Sequence, residues 1–282
     1  MIICKHSRDI KEHLAKINSP QSSVGFVPTM GALHPGHLSL LSKSKSVCSV
    51  TVCSIFVNPT QFNNPEDFKK YPKTIENDLL LLEENGCDIL FMPDEKEIYP
   101  NEEARKKHFE LGYLETILEG KFRPGHFQGV CMVVEKLLDT VHPGYLFMGQ
   151  KDYQQCMVIT RLITIMNINT QLIVCPILRE PSGLAMSSRN MRLSEADRKT
   201  AANINKELVE MANDLNGNNF AALQAKAISH LEQSGFTVEY LELAKSDTLE
   251  LISEFKKKEK LVILIAVYLG GIRLIDNLLI KG

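Results

Sequence analysis

The chain has no Cys-x-x-Cys pair, no internal repeat, no low-complexity stretch, no excess of positive charge and no apolar run long enough to cross a bilayer. Each absence removes a class of protein. The 32 Lys and Arg stand against 34 Asp and Glu, a net charge of −2, so the broad cationic face that non-specific duplex binding requires is missing and no nucleic acid partner is expected. The longest unbroken apolar run, 261–269, reaches about half of the roughly 20 residues that span a membrane, so it reads as a buried strand and no membrane partner is expected. The cysteines Cys4, Cys48, Cys53, Cys87, Cys131, Cys156 and Cys175 are odd in number and scattered, mostly inside apolar runs. That pattern fits buried free thiols in a reducing compartment rather than a disulfide frame. The opening residues Met1-Ile-Ile-Cys-Lys-His-Ser7 lack the charged start and apolar core of a secretory leader, and the expected location is the cytoplasm.

What is present is an ordinary globular composition: 282 residues, 44% apolar and 23% charged. At roughly 150 residues per domain the length implies two domains, or one large domain with an appendage. A body of this size buries about three-quarters of its unfolded surface and needs no metal or disulfide to be stable. The basic run 256–260 is read as a solvated connection ahead of a strand.

Between 23 and 177, short apolar runs bounded by Gly or Pro alternate with segments of helical spacing. The runs 24–27, 50–57, 88–92, 145–148 and 172–177 read as buried parallel strands. Helices are expected at 35–46, at 74–85 with Thr74 as N-cap and Gly86 as the closing residue, at 129–141, and at 152–167. In the third, Val130, Val134, Leu137, Leu138 and Val141 fall on one face. This alternation predicts a doubly wound α/β domain. After Arg192 the pattern changes. Ser194-x-x-Asp197 is similar to a capping box and opens one long helix with an apolar stripe of Ala201, Ile204, Leu208, Met211 and Leu215, ended by Asn216-Gly217-Asn218. A second helix to about 233 and strands at 237–243, 261–268 and 272–278 complete a smaller α+β domain. The predicted division is 1–178 and 179–282.

The segment 25–41 carries the first chemical signal: a strand, a Gly-containing turn and a helix started by Pro35, with His34 just before the first turn and His37 within it. A helix N-terminus offers free N–H groups and a positive dipole end, and two imidazoles beside it add donors, an arrangement suited to polyphosphate. Gly36 lets a nucleotide approach the backbone closely. Two histidines three apart also fit exposed surface residues or two ligands of a zinc site, but a third zinc ligand at customary spacing is missing nearby.

His34-Pro-Gly-His37 resembles the His-x-Gly-His signature of the nucleotidyl-transferring α/β superfamily that includes the class I aminoacyl-tRNA synthetases. Further blocks follow in order: 28–34, Phe56-Val-Asn-Pro-Thr-Gln-Phe62, Arg123-Pro-Gly-His-Phe-Gln-Gly129, Gly149-Gln-Lys-Asp-Tyr-Gln-Gln155, and 179–190 with its Met186-Ser-Ser-Arg189. Together with Arg273-Leu-Ile-Asp-Asn277 they resemble the pantoate beta-alanine ligase family. The resemblance implies a Rossmann-like N-terminal domain that binds ATP and pantoate, with the smaller domain covering the active site. It further implies an ATP-dependent condensation of pantoate with beta-alanine that proceeds through a pantoyl adenylate and releases AMP and pyrophosphate. It assigns Met30, Gly31, Ala32, Leu33, His34, Pro35, Gly36, His37, Gly149, Gln150, Lys151, Asp152, Leu178, Met186, Ser187, Ser188 and Arg189 to ATP, with His34, His37, Lys151 and Arg189 as catalytic groups on the triphosphate. Gln61 and Gln155 would hold pantoate, Gln61 also lying near beta-alanine, and a homodimer is implied. Asn58, Arg123 and His126 are secondary candidates. Magnesium on the phosphates is expected with its ligands unassigned; Asp78 and Asp152 are the nearby carboxylates.

The residue types are compatible with the roles that the resemblance implies. Lys151 follows a strand at the carboxyl edge where open α/β sheets bind ligands, and it can face phosphate as a point charge. The 186–189 segment, with no secondary-structure pattern, offers two hydroxyls and a guanidinium, suited to a mobile phosphate clamp. A side-chain amide supplies donor and acceptor together, as a small hydroxy acid requires. The family usually carries Glu, Glu, Asp and Thr where this chain has Pro35, Gln150, Ser182 and Met132. Two other readings remain: another adenylyl or cytidylyl transferase of the same superfamily, and a non-catalytic nucleotide sensor.

Overall fold

A computed structural model describes residues 1–17, 23–216, 219–255 and 259–280. The chain forms two compact units: Met1–Gly149 with Gln154–Pro176, and Gln150–Tyr153 with Ile177–Gly282. The first unit holds a parallel sheet of β1 (Ile2–Cys4), β2 (Val24–Thr29), β3 (Val50–Ile55), β4 (Ile89–Phe91), β5 (Tyr145–Gly149) and β6 (Gln171–Cys175), in the order β1-β4-β3-β2-β5-β6. β3, Val-Thr-Val-Cys-Ser-Ile, is buried at every position, as a central strand with both faces covered must be. From β2 the chain steps outward to β3 and β4, then returns to place β5 on the other side of β2. The strand order therefore reverses between β2 and β5, and a crevice is expected at their carboxyl ends.

The register shows how that crevice opens. β2 pairs with β3 along its whole length, from Val24↔Val50 to Thr29↔Ile55, but with β5 only through Gly25↔Tyr145 and Phe26↔Leu146. Pro28, which has no N–H to give to a ladder, lies beyond the last β2–β5 pair. The carboxyl half of β2 is thus unpaired on its β5 side.

Five of these strands lie where the sequence places them. β1 is additional: three residues at the sheet edge are too few to show a period. The helices Pro35–Val47, Ile75–Glu84 and Tyr153–Met166 match their predicted positions to within one or two residues. Gly86 closes the second at φ 69°. Thr74 occupies the N-cap without a side-chain capping bond, and its hydroxyl donates to Asp78 Oδ1 (3.0 Å). The helix predicted from 129 begins at His126, directly after Gly125 turns the chain at φ 79°.

In the second unit, β7 (Thr237–Lys245), β8 (Leu261–Leu269) and β9 (Ile272–Ile280) form an antiparallel sheet in that order. The predicted long helix is two, Glu195–Ala201 and Asn203–Asp214. At the join, Ala202 N–H donates to Lys199 three residues back rather than four, so the helix tightens for one step. The stripe continues through the step: Ala201, Ile204, Leu208 and Met211 are buried against Leu241, Leu243, Ile263, Ile265 and Leu274, with Leu215 at the margin. The helix Phe220–Gln233 adds Phe220, Ala227 and Leu231 to this core. The helix stop proposed at Gly217-Asn218 and Lys256–Lys258 of the basic run lie outside the described residues. No helix among the described residues is long and apolar enough to cross a membrane.

Candidate active site

The first unit presents its chemistry at the carboxyl ends of β2 and β3. After Thr29 the chain turns through Gly31 (φ 80°) and Ala32 (φ 50°), and the fully buried carboxylate of Asp78 holds that turn. Asp78 Oδ2 accepts from Ala32 N–H (2.9 Å) and Oδ1 from Leu33 N–H (2.8 Å) and the Thr74 hydroxyl. His34 is the N-cap of the Pro35–Val47 helix, and its Nδ1 accepts from Gly36 N–H (3.1 Å). In the neutral ring this leaves the proton on Nε2, a donor. The His37 ring stacks on His34 with centroids 4.0 Å apart. Two imidazoles and a helix N-terminus therefore share one end of β2, a concentration of N–H donors suited to an anion.

Beyond β3, Asn58 caps the short turn Pro59–Gln61. Asn58 is buried and committed to the protein: Nδ2 donates to Gly129 O (3.0 Å) and Oδ1 accepts from Tyr99 Oη–H (2.7 Å) and the Thr60 hydroxyl. It shapes the turn rather than offering a contact. The Gln61 amide lies against the β2 loop, Nε2 at 3.0 Å from Met30 Sδ, and its Oε1 accepts from Asn58 Nδ2. His126 Nδ1 (2.8 Å) and Arg123 (3.4 Å) both reach the Gln61 backbone carbonyl. Gly129 lets the His126–Val141 helix approach, since a Cβ there would sit 2.4 Å from Thr60 O. Arg123 also pairs with Glu119 (3.2 Å). Gln155, near the start of the Tyr153–Met166 helix, is half-buried and has no hydrogen-bond partner among the described residues. Its neighbour Gln154 is buried and bonded to Glu119, Leu114 and Ile117. The structure thus joins Met30, Asn58, Gln61, Arg123 and His126 in one hydrogen-bonded cluster, without Gln155 in it.

The second unit carries the other set. Gln150–Asp152 form a single tight turn directly after β5, and Asn277 of β9 holds it: Nδ2 donates to Gln150 O (2.9 Å) and Lys151 O (3.0 Å), and Oδ1 accepts from Gln150 Nε2 (3.0 Å). Lys151 pairs with Asp152 at 3.6 Å. Asp276 Oδ1 accepts from Asn277 N–H (2.8 Å), and Arg179 grips the same carboxylate with two nitrogens, at 2.6 and 3.0 Å. Burial pushes the Asp276 carboxyl above its ordinary range, and Arg179 works against that shift. Arg179 also donates to Gly183 O (3.1 Å).

The stretch around 186–189 is more ordered than its sequence predicts. Residues 178–186 form a tight hairpin, with Met186 N–H on Leu178 O (3.0 Å), Glu180 N–H on Leu184 O (2.8 Å) and a bridge between Arg179 and Ala185. Ser187 caps the following turn, Ser188–Arg192, and accepts from Arg189 N–H (3.3 Å). Asn190 donates to Ala185 O (3.0 Å) and Glu180 Oε1 (2.9 Å). Ser188 is buried and Arg189 half-buried. Asn277, Asp276 and Arg179 received no role from the sequence, although all three lie in the blocks quoted above. Their partners are about a hundred residues away in the chain, which spacing does not reveal.

No group of three or more His, Cys, Asp or Glu side chains among the described residues is placed to hold a metal ion. Asp78 spends both oxygens on the loop, whereas Asp152 is about half exposed.

A family model described as Pantoate-beta-alanine ligase matches residues 2–279. The chain is 49% identical over 283 residues to a protein of Cytophaga hutchinsonii named pantothenate synthetase, covering 99% of each, and 44% identical to its namesake in Flavobacterium psychrophilum, covering 100% of each. Among solved structures it is similar to pantothenate synthetase from Thermus thermophilus, at TM-score 0.87 and 35% identity with 100% of both chains covered. It is also similar to pantoate-beta-alanine ligase from Francisella tularensis, whose structure is described as complexed with beta-gamma ATP and beta-alanine, at TM-score 0.79 and 39% identity over 99% and 97% of the chains.

Proposed function

Because this chain belongs to the pantoate-beta-alanine ligase family, we propose that it condenses pantoate with beta-alanine in two steps coupled to ATP cleavage. First, a pantoate carboxylate oxygen attacks the α-phosphorus of ATP and the bond to pyrophosphate breaks. Next, the beta-alanine nitrogen, as the free amine, attacks the acyl carbon, AMP leaves with the electron pair of the C–O bond, and the nitrogen gives up one proton while keeping the other as the amide N–H. A carboxylate does not form an amide unaided, and this activation supplies a leaving group. No side chain needs to become covalently attached. Catalysis is then orientation and charge stabilisation, effects that contribute roughly 7–11 kcal/mol and about 3–4 kcal/mol per well-placed donor respectively.

The observation that carries this reading is the β2 terminus: stacked His34 and His37 at a helix N-terminus, beside the unpaired half of β2, in a chain aligned with the family along nearly its whole length. His34 and His37 are assigned to the triphosphate, His37 as donor to the oxygens of the pentavalent state. Lys151, Ser187, Ser188 and Arg189 are assigned to the same triphosphate, Met30–Leu33 and Gly149–Asp152 to ATP contacts, and Leu178 to the adenine. Gln61 and Gln155 are assigned to pantoate, with Asn58, Arg123 and His126 positioning the Gln61 turn. Magnesium fits as a partner of the nucleotide: it is held by one or two carboxylates, phosphate oxygens and water rather than by an all-protein cage, and Asp152 is the exposed carboxylate on the ATP segment. When bound, it neutralises phosphate charge. An acyl adenylate hydrolyses when water reaches it freely, so the site must exclude water, and the segment 179–192 is assigned to that role. A cytoplasmic location is supported by seven free, buried thiols; the homodimer rests on the family resemblance.

The test is exchange of labelled pyrophosphate into ATP. It should depend on pantoate, and AMP should accumulate only when beta-alanine is added as well. Exchange driven by a different acid would favour another transferase of the superfamily, and nucleotide binding without exchange would favour a sensor.

A further inference from the structure

The chain leaves the first unit's sheet at Gly149, yet the next four residues belong to the second unit. One side chain of β9 holds two of those residues. The Asn277 carboxamide uses both of its N–H donors on consecutive carbonyls, Gln150 O and Lys151 O, and its oxygen takes the return bond from Gln150 Nε2. We propose that Asn277 is a positioning residue for the adenylation step, fixing the backbone of 150 and 151 and thereby the aim of the Lys151 ammonium at the triphosphate. The inference rests on the assignment of Lys151 to ATP made above.

Burial and satisfaction set this amide apart from an ordinary strand residue. Asn277 is 1% exposed and sits in β9 opposite Leu264 of the apolar β8. A buried amide costs free energy unless its hydrogen bonds are made, and an apolar residue would suit the strand better if only packing mattered. Here every donor and the acceptor are used, which makes the group rigid. Asn277 is itself anchored. Its N–H goes to Asp276, 4% exposed, and Arg179 holds that carboxylate with two nitrogens while donating to the Asn277 carbonyl as well (3.4 Å). Arg179 also holds Gly183, inside the hairpin that leads to Ser187, Ser188 and Arg189. The backbone of 150 and 151, and the hairpin that leads to 187–189, are therefore both tied to one dipeptide of β9. Lys151 has a flexible stem, and only a fixed Cα gives its charge a fixed reach.

The experiment uses the full chain and steady-state exchange of pyrophosphate with ATP. Asn277→Ala, and Asn277→Asp, which keeps the shape but has no N–H, should lower kcat/KM for ATP by about 10- to 100-fold, the cost of a small misplacement of a reacting group. KM for pantoate should stay within about twofold. Asn277→Ser keeps one donor and should fall between these variants and the parent; it also serves if the others do not fold. In a Lys151→Ala background, Asn277→Ser should add no more than about twofold, because its effect runs through the lysine. Equal losses for ATP and pantoate, or effects that multiply in the double variant, would show a merely structural role and overturn the proposal. Unchanged exchange in Lys151→Ala alone would overturn the assignment of that lysine and this inference with it, a result distinct from failure of the Asn277 variants alone.

Discussion

Asp78 serves its neighbours without being placed to touch a ligand. Its carboxylate is fully buried and caps the backbone N–H groups of Ala32 and Leu33, the two residues that bring His34 to the helix start. Asp78→Ala leaves those two donors facing a void, and each orphaned buried group costs about 1–3 kcal/mol. The expected outcome is a loss of about 2–5 kcal/mol in urea unfolding, with a raised KM for ATP in the fraction that folds. An unchanged KM would show that the loop keeps its shape without the cap. Arg189 makes the opposite case, a charge assigned to the reaction itself. Arg189→Ala should slow pantoate-dependent exchange by about 100-fold or more while pantoate binding, measured by calorimetry, changes little. Exchange at the parent rate would remove Arg189 from the triphosphate. His34 and His37 were legible in the sequence because three-residue spacing and Pro35 place them at one helix start. Asp78, Arg179 and Asn277 were not, because a carboxylate or amide announces its partner only when the fold brings distant backbone to it.

Among the elements, buried strands were the easiest to read, β8 as an unbroken apolar run and β3 as a β-branched, mostly apolar one. β1 escaped because three edge residues carry no period, and the long helix after Ser194 escaped division because its apolar stripe runs through the step at Ala202. The β8–β9 turn shows what an element boundary can be asked. Gly270 (φ 56°) and Gly271 (φ 74°) form a two-residue loop with both residues left-handed, the conformation that matches strand twist. Either alanine replacement should lose about 1–2 kcal/mol for the backbone alone. Gly270→Ala should cost more. A Cβ there would meet Asp197 Oδ2 at 2.8 Å, and moving that carboxylate disturbs its bond with Ser194, the cap of the helix Glu195–Ala201. Around Gly271 nothing lies within 4 Å. The two variants should therefore differ by roughly the value of a helix cap, about 1 kcal/mol, in equilibrium urea titrations. Equal losses would show that Asp197 moves aside freely.

At the scale of the whole molecule, the cysteines distinguish the two units. All seven lie in the first unit, all are free, and all are buried. Burial pushes the Cys87 thiol up to about 11 and Cys131 up to about 12, and it raises Cys53 well above its ordinary value. Only an accessible thiolate attacks a disulfide reagent, so the native protein at neutral pH should be nearly inert and labelling should report opening of the first unit. Unfolding of the second unit alone adds no thiol. A ligand that binds only the closed first unit should slow labelling by the factor one plus its concentration over Kd. Pantoate with a non-hydrolysable ATP analogue, at about 100 times Kd, should therefore slow the reaction about 100-fold while leaving the count in denaturant at seven. Rapid modification of several thiols in the native protein would mean that this core is open to solvent. Slow modification that ligands leave unchanged would place their binding outside the unit that carries His34, His37, Gln61 and Gln155, and with it would fall the assignment of ATP and pantoate to those residues.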